Sequence, residues 1–120
     1  MVLESIKEVA KALAQKPSTL EYPEEREQLT DNYRGIHKLD METCISCAAC
    51  FRICPNQTIT MVDVETDRGV KKMPEINVER CLFCMLCEEV CPPKCLVLTK
   101  NYDTERYDRR DYILRPEDLE

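Results

Sequence analysis

Nine cysteines dominate the chemistry available to this chain, and eight of them fall into two runs of identical spacing. Each run reads Cys-x2-Cys-x2-Cys-x3-Cys-Pro. The first run holds Cys44, Cys47, Cys50 and Cys54, and the second holds Cys81, Cys84, Cys87 and Cys91. Three cysteines at this pitch can wrap a tight loop around three corners of an iron–sulfur cube, and the whole run is a known ligand pattern for [4Fe–4S] clusters.

The fourth cysteine of each run is expected to bind the cluster of the other run, because a short helix carries it away from its own loop. The predicted ligands of the first cluster are Cys44, Cys47, Cys50 and Cys91. The predicted ligands of the second cluster are Cys81, Cys84, Cys87 and Cys54. Neither cluster is then complete without a ligand from the other run, so folding and cluster insertion should be coupled.

Disulfides and a four-cysteine zinc site are the other chemistries open to these residues. Disulfides are disfavoured because nine is an odd number. The first residues also lack the basic leader and apolar segment of a secretory signal, which favours a reducing, cytoplasmic location. Zinc ribbons use two cysteine pairs, and they need neither a third cysteine at the same pitch nor a fourth before proline. The pattern therefore predicts two [4Fe–4S] clusters, with zinc as the alternative. Cys95 is predicted to be a small packing residue.

The cysteine runs belong to a longer repeat at an offset of 37 residues. Residues 39–42 match 76–79, and residues 59–62 match 96–99. Each copy predicts a strand, a cysteine loop, a short helix that ends before the Cys-Pro, and a second strand. The predicted strands are 38–41, 59–62, 76–78 and 96–99. The expected fold is α+β, with a duplicated ferredoxin-like core of pseudo-twofold symmetry over residues 37–100.

Two further features of the core follow from residue type. The charged segment 63–75 predicts a solvated hairpin that turns at 67–69, with Gly69 in the turn, and the alternative is a finger that contacts a partner. The apolar residues between the ligands are expected to form a dry sleeve around the clusters, because low polarity around a cluster helps to set its potential. These residues are Ile45, Ala48, Ala49, Phe51, Ile53, Leu82, Phe83, Met85, Leu86 and Val90.

Charge excludes some function classes. The formal net charge is −6 and the isoelectric point is about 4.9. Two bound clusters with their thiolates would bring the net charge to roughly −10. Such a surface repels nucleic-acid phosphates and suits basic patches on a protein partner. Because the sequence has no apolar stretch of membrane-spanning length, no nucleophile–base pair and no phosphate loop, it predicts neither a membrane-spanning helix nor a substrate-transforming site.

Segments on both sides of the core are predicted to dock onto partners. Residues 1–36 form an N-terminal arm, and residues 101–120 form a C-terminal tail. All five tyrosines lie in these segments, and tyrosine is favoured in interfaces. The first residues predict an amphipathic helix that Pro17 would bar from continuing, with an apolar stripe of Val2, Leu3, Ile6, Val9, Ala10 and Leu13. The alternative is that both arms fold back on their own domain.

The arms carry a resemblance to a known family. The motif at 16–25 reads Lys-Pro-x-Thr-x-x-Tyr-Pro-Glu-Glu, the motif at 33–37 reads Tyr-Arg-Gly-x-His, and the tail at 108–119 is rich in charged residues. With the duplicated cysteine run, they resemble the subunit I family of NADH-quinone oxidoreductase (respiratory complex I). Related subunits occur in membrane-bound, energy-converting hydrogenases.

The resemblance implies an electron-transfer subunit with two clusters in the peripheral arm of a membrane-associated complex, on the cytoplasmic side. It passes electrons to a cluster in a neighbouring subunit. Cys95, Pro93 and Met85 depart from the family pattern, without touching ligation. His37, the only histidine, is expected to fix the turn at Gly35 by hydrogen bonding. The alternative function is a free-standing soluble ferredoxin that shuttles electrons between enzymes.

Overall fold

Short strands and short helices alternate through the middle of the chain, as the repeat predicts. The structure is a computed structural model that describes residues 2–66 and 69–119. The helices are α1 (Val2–Ala14), α2 (Ala49–Ile53) and α3 (Leu86–Glu89). The strands are β1 (His37–Leu39), β2 (Ile59–Thr66), β3 (Gly69–Asn77), β4 (Leu96–Leu98) and β5 (Ile113–Leu114). Three 3-10 turns lie at Val78–Arg80, Arg109–Tyr112 and Pro116–Leu119.

Strands from the two repeats pair with each other. In the two-stranded sheet, β1 of the first repeat runs antiparallel to β4 of the second, with Leu39 opposite Leu96. In the three-stranded sheet, β2 of the first repeat pairs with β3 of the second, with Ile59 opposite Ile76. These four side chains are almost completely buried and form the centre of the core. The predicted strands and the α+β ferredoxin-like architecture are therefore confirmed.

The charged segment at 63–75 is a hairpin, as predicted. β2 and β3 continue through it, and their last described pair is Thr66 opposite Gly69. The Thr66 hydroxyl donates to the Gly69 carbonyl at 2.7 Å, and Gly69 has a φ of +109° that favours glycine. The predicted turn positions Asp67 and Arg68 lie outside the described residues.

The C-terminal tail contributes directly to the core. β5 pairs with the end of β3, with Leu114 opposite Ile76. Leu114 is buried, and Leu119 is only 1% exposed. Burying one leucine side chain stabilises a fold by about 1.5–3 kcal/mol. The sequence predicted partner docking for 101–120, with folding back on its own domain as the alternative, and the packing of 113–119 follows the alternative.

The two arms also contact each other. The ring of Tyr102 lies 6.0 Å from that of Tyr22 and 6.2 Å from that of Tyr33, measured between centroids. The Tyr22 hydroxyl donates to Asp103 at 2.5 Å, and Arg26 pairs with the same carboxylate at 2.9 Å. This part of the arms therefore folds back on its own chain, which was the alternative to partner docking.

The amphipathic helix predicted at the N-terminus is confirmed as α1, which begins at Val2 and ends at Ala14 before Pro17. Its described apolar side chains are exposed, with Leu13 83% accessible. Within the described ranges, no helix has the length and apolar character needed to cross a membrane.

Candidate metal centres

Two cavities of similar size divide the eight run cysteines between them. Each cavity has a volume of about 20 Å³. The first is lined by Cys44, Cys47, Cys50 and Cys91. The second is lined by Cys54, Cys81, Cys84 and Cys87. Each cavity thus receives three cysteines from one run and the fourth from the other run.

The short helices explain how the fourth cysteine changes cavity. Cys50 lies inside α2 and faces the first cavity, whereas Cys54 follows the end of α2 and lines the second. Cys54 has extended backbone angles, φ −63° and ψ 113°, as the residue before Pro55 favours. The five residues from Cys50 to Cys54 therefore span the wall between the two cavities.

Six residues around the cavities have positive φ, and none of them is glycine. They form three pairs at the repeat offset: Ser46 with Phe83, Ala48 with Met85, and Gln57 with Lys94. Left-handed backbone between helical residues turns successive N–H groups towards one point, which creates the anion-binding nests found at many iron–sulfur sites. The conformation costs roughly 1–2 kcal/mol for each non-glycine residue. Both loops therefore have backbone suited to an anionic iron–sulfur group.

Burial controls the protonation of several thiols. Burial raises the pKa of the Cys50 and Cys81 thiols, and it raises the pKa of Cys87 to about 12. Cys54 differs, because hydrogen bonds from Thr58 and from nearby backbone N–H groups outweigh its burial and lower its pKa. Buried thiols of this kind lose their protons when a metal group supplies compensating positive charge.

His37 lies at the second cavity and not in the turn that it was predicted to fix. Its side chain is 4% exposed and stacks on Phe83 with ring centroids 6.0 Å apart. Its Nδ1 has no hydrogen-bond partner among the described residues. Burial lowers the pKa of His37 to about 4. The described hydrogen bonds of Gly35 and Ile36 are backbone bonds to Thr99 and Asn101, so they give no support to His37 as the residue that fixes this segment.

Cys95 is buried, as predicted for a packing residue, and it also lines the first cavity. Its Sγ lies 3.4 Å from the Sγ of Cys91. Burial, together with the neighbouring Cys91 and Cys44 thiols, raises the pKa of Cys95. The sequence places Cys95 outside the ligand run. The repeat offset, which aligns Cys95 with Thr58, is the sequence signal for its position beside Cys91.

The predicted dry sleeve is only partly present, which corrects that expectation. Ile45 is 62% exposed and Leu82 is 64% exposed. Four more of the ten residues are also exposed, namely Phe51, Ile53, Leu86 and Val90. Ile45 and Leu82 line the cavities on their exposed outer side, and strand residues such as Leu39 and Ile59 supply the inner apolar wall.

The donor set fits a cluster better than a single ion. Among the described residues, no group of three or more His, Cys, Asp or Glu side chains is placed to hold one metal ion. Tetrahedral zinc needs four ligands at about 2.0–2.3 Å from one atom. Four thiols spread around a cavity, backed by inward N–H groups, suit a larger anionic cube. These features define a ferredoxin-like protein of the two-cluster iron–sulfur class.

The comparisons with known proteins agree with this class. A 4Fe-4S dicluster domain matches residues 43–95. NADH-quinone oxidoreductase subunit I 1 of Geobacter sulfurreducens is 38% identical over 125 residues, covering 98% of this chain and 94% of the relative. The chain therefore belongs to the subunit I family of NADH-quinone oxidoreductase. It is an iron–sulfur electron-transfer subunit with two [4Fe–4S] clusters.

Other relatives differ in length. Subunit I of Carboxydothermus hydrogenoformans is 38% identical over 63 residues, which cover 52% of this chain and 45% of that relative. This match therefore spans about half the length of the relative. A solved chain from the membrane-bound sulfane sulfur reductase, an archaeal respiratory membrane complex, aligns with a TM-score of 0.60. It is 32% identical, and the match covers 91% of this chain and 62% of that one.

Proposed function

We propose that this chain relays electrons through its two clusters as a peripheral subunit of a membrane-associated respiratory complex, on the cytoplasmic side. The observation that carries the proposal is the division of eight cysteines over two cavities, three from one run and one from the other in each. Each bound cluster accepts and donates one electron, while the protein sets its potential and position. No substrate bond changes at these sites.

The proposed ligands follow the cavities. The first cluster is bound by Cys44, Cys47, Cys50 and Cys91, and the second by Cys81, Cys84, Cys87 and Cys54. The exchange of strands between repeats, β1 with β4 and β2 with β3, supports a pseudo-twofold axis between the clusters. Under this assignment a single folded unit of residues 37–100 binds both groups. The tail strand β5 is added on one side only.

The surface supports entry of an electron at one cluster and exit at the other. Ile45 and Leu82 occupy equivalent repeat positions, line different cavities, and are both more than 60% exposed. Exposed apolar residues next to a polar surface are typical of protein contact sites. Each cavity therefore has its own apolar contact point, where a neighbouring iron–sulfur subunit could cover the cluster.

The alternative is a free-standing soluble ferredoxin. It is disfavoured because α1 presents an uncovered apolar face that includes Ile6, Val9 and Leu13. A carrier that exchanges partners in solution has no use for such a face. We propose that membrane subunits or other neighbouring subunits of the complex cover it.

Affinity capture of the tagged full chain from gently solubilised native membranes tests the assembly. The proposal expects stoichiometric recovery with at least one further iron–sulfur subunit and one integral membrane subunit, identified by mass spectrometry. Recovery of the tagged chain from the soluble fraction alone, with both clusters and no partner, would instead support the soluble ferredoxin. Iron analysis of the same eluate should give about eight iron atoms per copy of this chain, in addition to the iron bound by partner subunits.

A further inference from the structure

The two cysteines that close the clusters have different surroundings. The Sγ of Cys54 lies 3.2 Å from Thr58 Oγ1 and accepts the Thr58 backbone N–H at 3.3 Å. A cluster-bound thiolate has no proton to donate, so the Thr58 hydroxyl must be the donor in the loaded protein. Cys54 thus has two donors, both from Thr58.

The equivalent sulfur of Cys91 has weaker partners. Pro93 stands at the repeat position of Asn56, and proline has no backbone N–H. Cys95 stands at the repeat position of Thr58, and its Sγ lies 3.4 Å from the Sγ of Cys91. A thiol is a much weaker hydrogen-bond donor than a hydroxyl. Among the described contacts, the sulfur of Cys54 has a hydroxyl donor and a backbone donor, whereas the sulfur of Cys91 has the weaker Cys95 thiol.

The nearest cationic contacts do not distinguish the cavities. Arg52 donates to the Cys47 carbonyl at 3.1 Å beside the first cavity. Arg34 donates to the Cys84 carbonyl at 3.4 Å beside the second. Cys47 and Cys84 are repeat equivalents, although the two arginines are not. Both guanidinium groups are exposed and screened, so their effects on the two clusters are similar.

One negative charge near the second cavity opposes the effect of its additional hydrogen-bond donors. The half-buried Glu88 carboxylate acts electrostatically on His37, which lines the second cavity, and negative charge disfavours reduction. Its Oε2 accepts the Leu98 N–H at 2.7 Å, which offsets part of this charge. Because Glu88 is present in every variant described below, changes at Thr58 can be measured against a constant background.

We propose that Thr58 and Cys95 make the two clusters unequal, with the cluster closed by Cys54 having the higher reduction potential. Hydrogen bonds to a ligand sulfur stabilise the extra negative charge of the reduced cluster and raise its potential. The first electron to enter the protein therefore resides on the cluster of the second cavity. This inference rests on the proposed ligand assignment, and it makes Thr58 a positioning residue for the electron.

The size of the effect follows from one hydrogen bond. A hydrogen bond to a charged group contributes about 1.5–3 kcal/mol, but only the part that differs between the oxidised and reduced clusters shifts the potential. A tenfold change in the ratio of reduced to oxidised cluster corresponds to about 59 mV for a one-electron couple. We expect a change of about tenfold when the hydroxyl of Thr58 is removed.

Potentiometric titration followed by electron paramagnetic resonance tests the inference on the full chain loaded anaerobically with both clusters. Thr58→Val keeps the side-chain shape and removes the hydroxyl. The midpoint potential of one cluster should fall by about 59 mV, which corresponds to a tenfold change in the ratio of reduced to oxidised cluster. The midpoint potential of the other cluster should stay constant. Thr58→Ser keeps the hydroxyl and should restore the wild-type midpoint. Equal shifts of both midpoints, or no shift, would overturn the inference.

The reciprocal variant is Cys95→Thr, which places a hydroxyl beside Cys91. It should raise the midpoint of the cluster that Thr58→Val leaves unchanged, and it keeps the inference falsifiable if Thr58→Val fails to load. A wild-type chain that cannot hold two [4Fe–4S] clusters would refute the proposed function. If the chain binds two clusters and neither variant shifts a midpoint potential, only the present inference is refuted.

Discussion

The backbone N–H of Gly35 donates a 2.7 Å hydrogen bond to the carbonyl of Thr99. This contact extends the pairing of β1 with β4 and joins the end of the N-terminal arm to the end of the second repeat. A Cβ at position 35 would lie 2.1 Å from the carbonyl oxygen of Asn101 and 2.7 Å from that of Thr99. Both neighbours are backbone atoms, so no side chain can move aside.

Gly35→Ala should therefore separate the arm from the core. Overpacking against backbone costs about 1–3 kcal/mol, and we expect the upper end of that range here. Thermal denaturation of the loaded chain measures the loss, and limited proteolysis should cut residues 20–36 faster. Gly69→Ala is the comparison, because its Cβ meets no atom within 4 Å and only the positive φ is strained. Rapid cleavage of the arm in Gly69→Ala, or none in Gly35→Ala, would contradict this account.

Cys91→Ser should remove the cluster associated with the first cysteine run. Cys91 lines the cavity of Cys44, Cys47 and Cys50, so its loss leaves that cluster with three thiolates. Iron should fall from about eight to about four atoms per chain, since each cube holds four. Cys95→Ser is the matched control, because Cys95 is a neighbouring cysteine outside the proposed ligand set, and its iron content should stay near eight. Selective loss of the resonance signal from the second-run cluster in Cys91→Ser would show that the fourth ligands are not exchanged.

Leu119→Ala should destabilise the core, although residue 119 lies far from both cysteine runs in sequence. Leu119 is 1% exposed and packs in the same cluster as Leu39 and Ile76. Truncating a buried leucine costs about 2–5 kcal/mol. Denaturant unfolding of the loaded protein measures the change. The control Leu13→Ala, on the exposed face of α1, should stay within about 0.5 kcal/mol. Equal effects at both positions would show that the tail does not belong to the core.

The contact between the arms should weaken in strong base. A hydrogen bond to Asp103 raises the pKa of Tyr22 from 10.0 to about 12. Because the folded-state pKa is the higher one, the contribution of Tyr22 is complete below pH 10 and is lost as the pH rises towards 12. Nuclear magnetic resonance of ¹³Cζ-labelled tyrosine reports the titration. Asp103→Asn should move the pKa of Tyr22 back towards 10, and an unchanged value would exclude Asp103 as the cause.

The spacing of the cysteines and the repeat offset were sufficient to predict the strands, the two short helices and the partition of cysteines into two groups. These features depend on ligand geometry and on hydrophobic pattern, which act locally and are visible in one sequence. The exchange of strands also follows, because two copies of a strand–loop–helix–strand unit bury their apolar faces best against each other.

Backbone conformation in the loops was not predictable. Ser46 and Ala48 have positive φ, yet both residue types prefer negative φ, and sequence patterns reveal such positions mainly through glycine. The packing of Leu119 was also missed, because short 3-10 segments carry no periodic signal. Ile45 and Leu82 were expected inside the sleeve because of their apolar character, but residue type alone does not distinguish a buried wall from a protein contact surface.

The exchange of strands has a consequence for synthesis of the chain. β1 finds its partner in β4, so residues through Leu98 must leave the ribosome before the first strand can pair. β2 can pair with β3 much earlier, since their last described residues, Thr66 and Gly69, are close in sequence. During translation the hairpin can therefore form first, while the pairing of β1 waits for almost the whole polypeptide. Until Cys91 emerges, the proposed first cluster has only Cys44, Cys47 and Cys50 as ligands. Iron that arrives before Cys91 has been synthesised would meet an incomplete first cluster site.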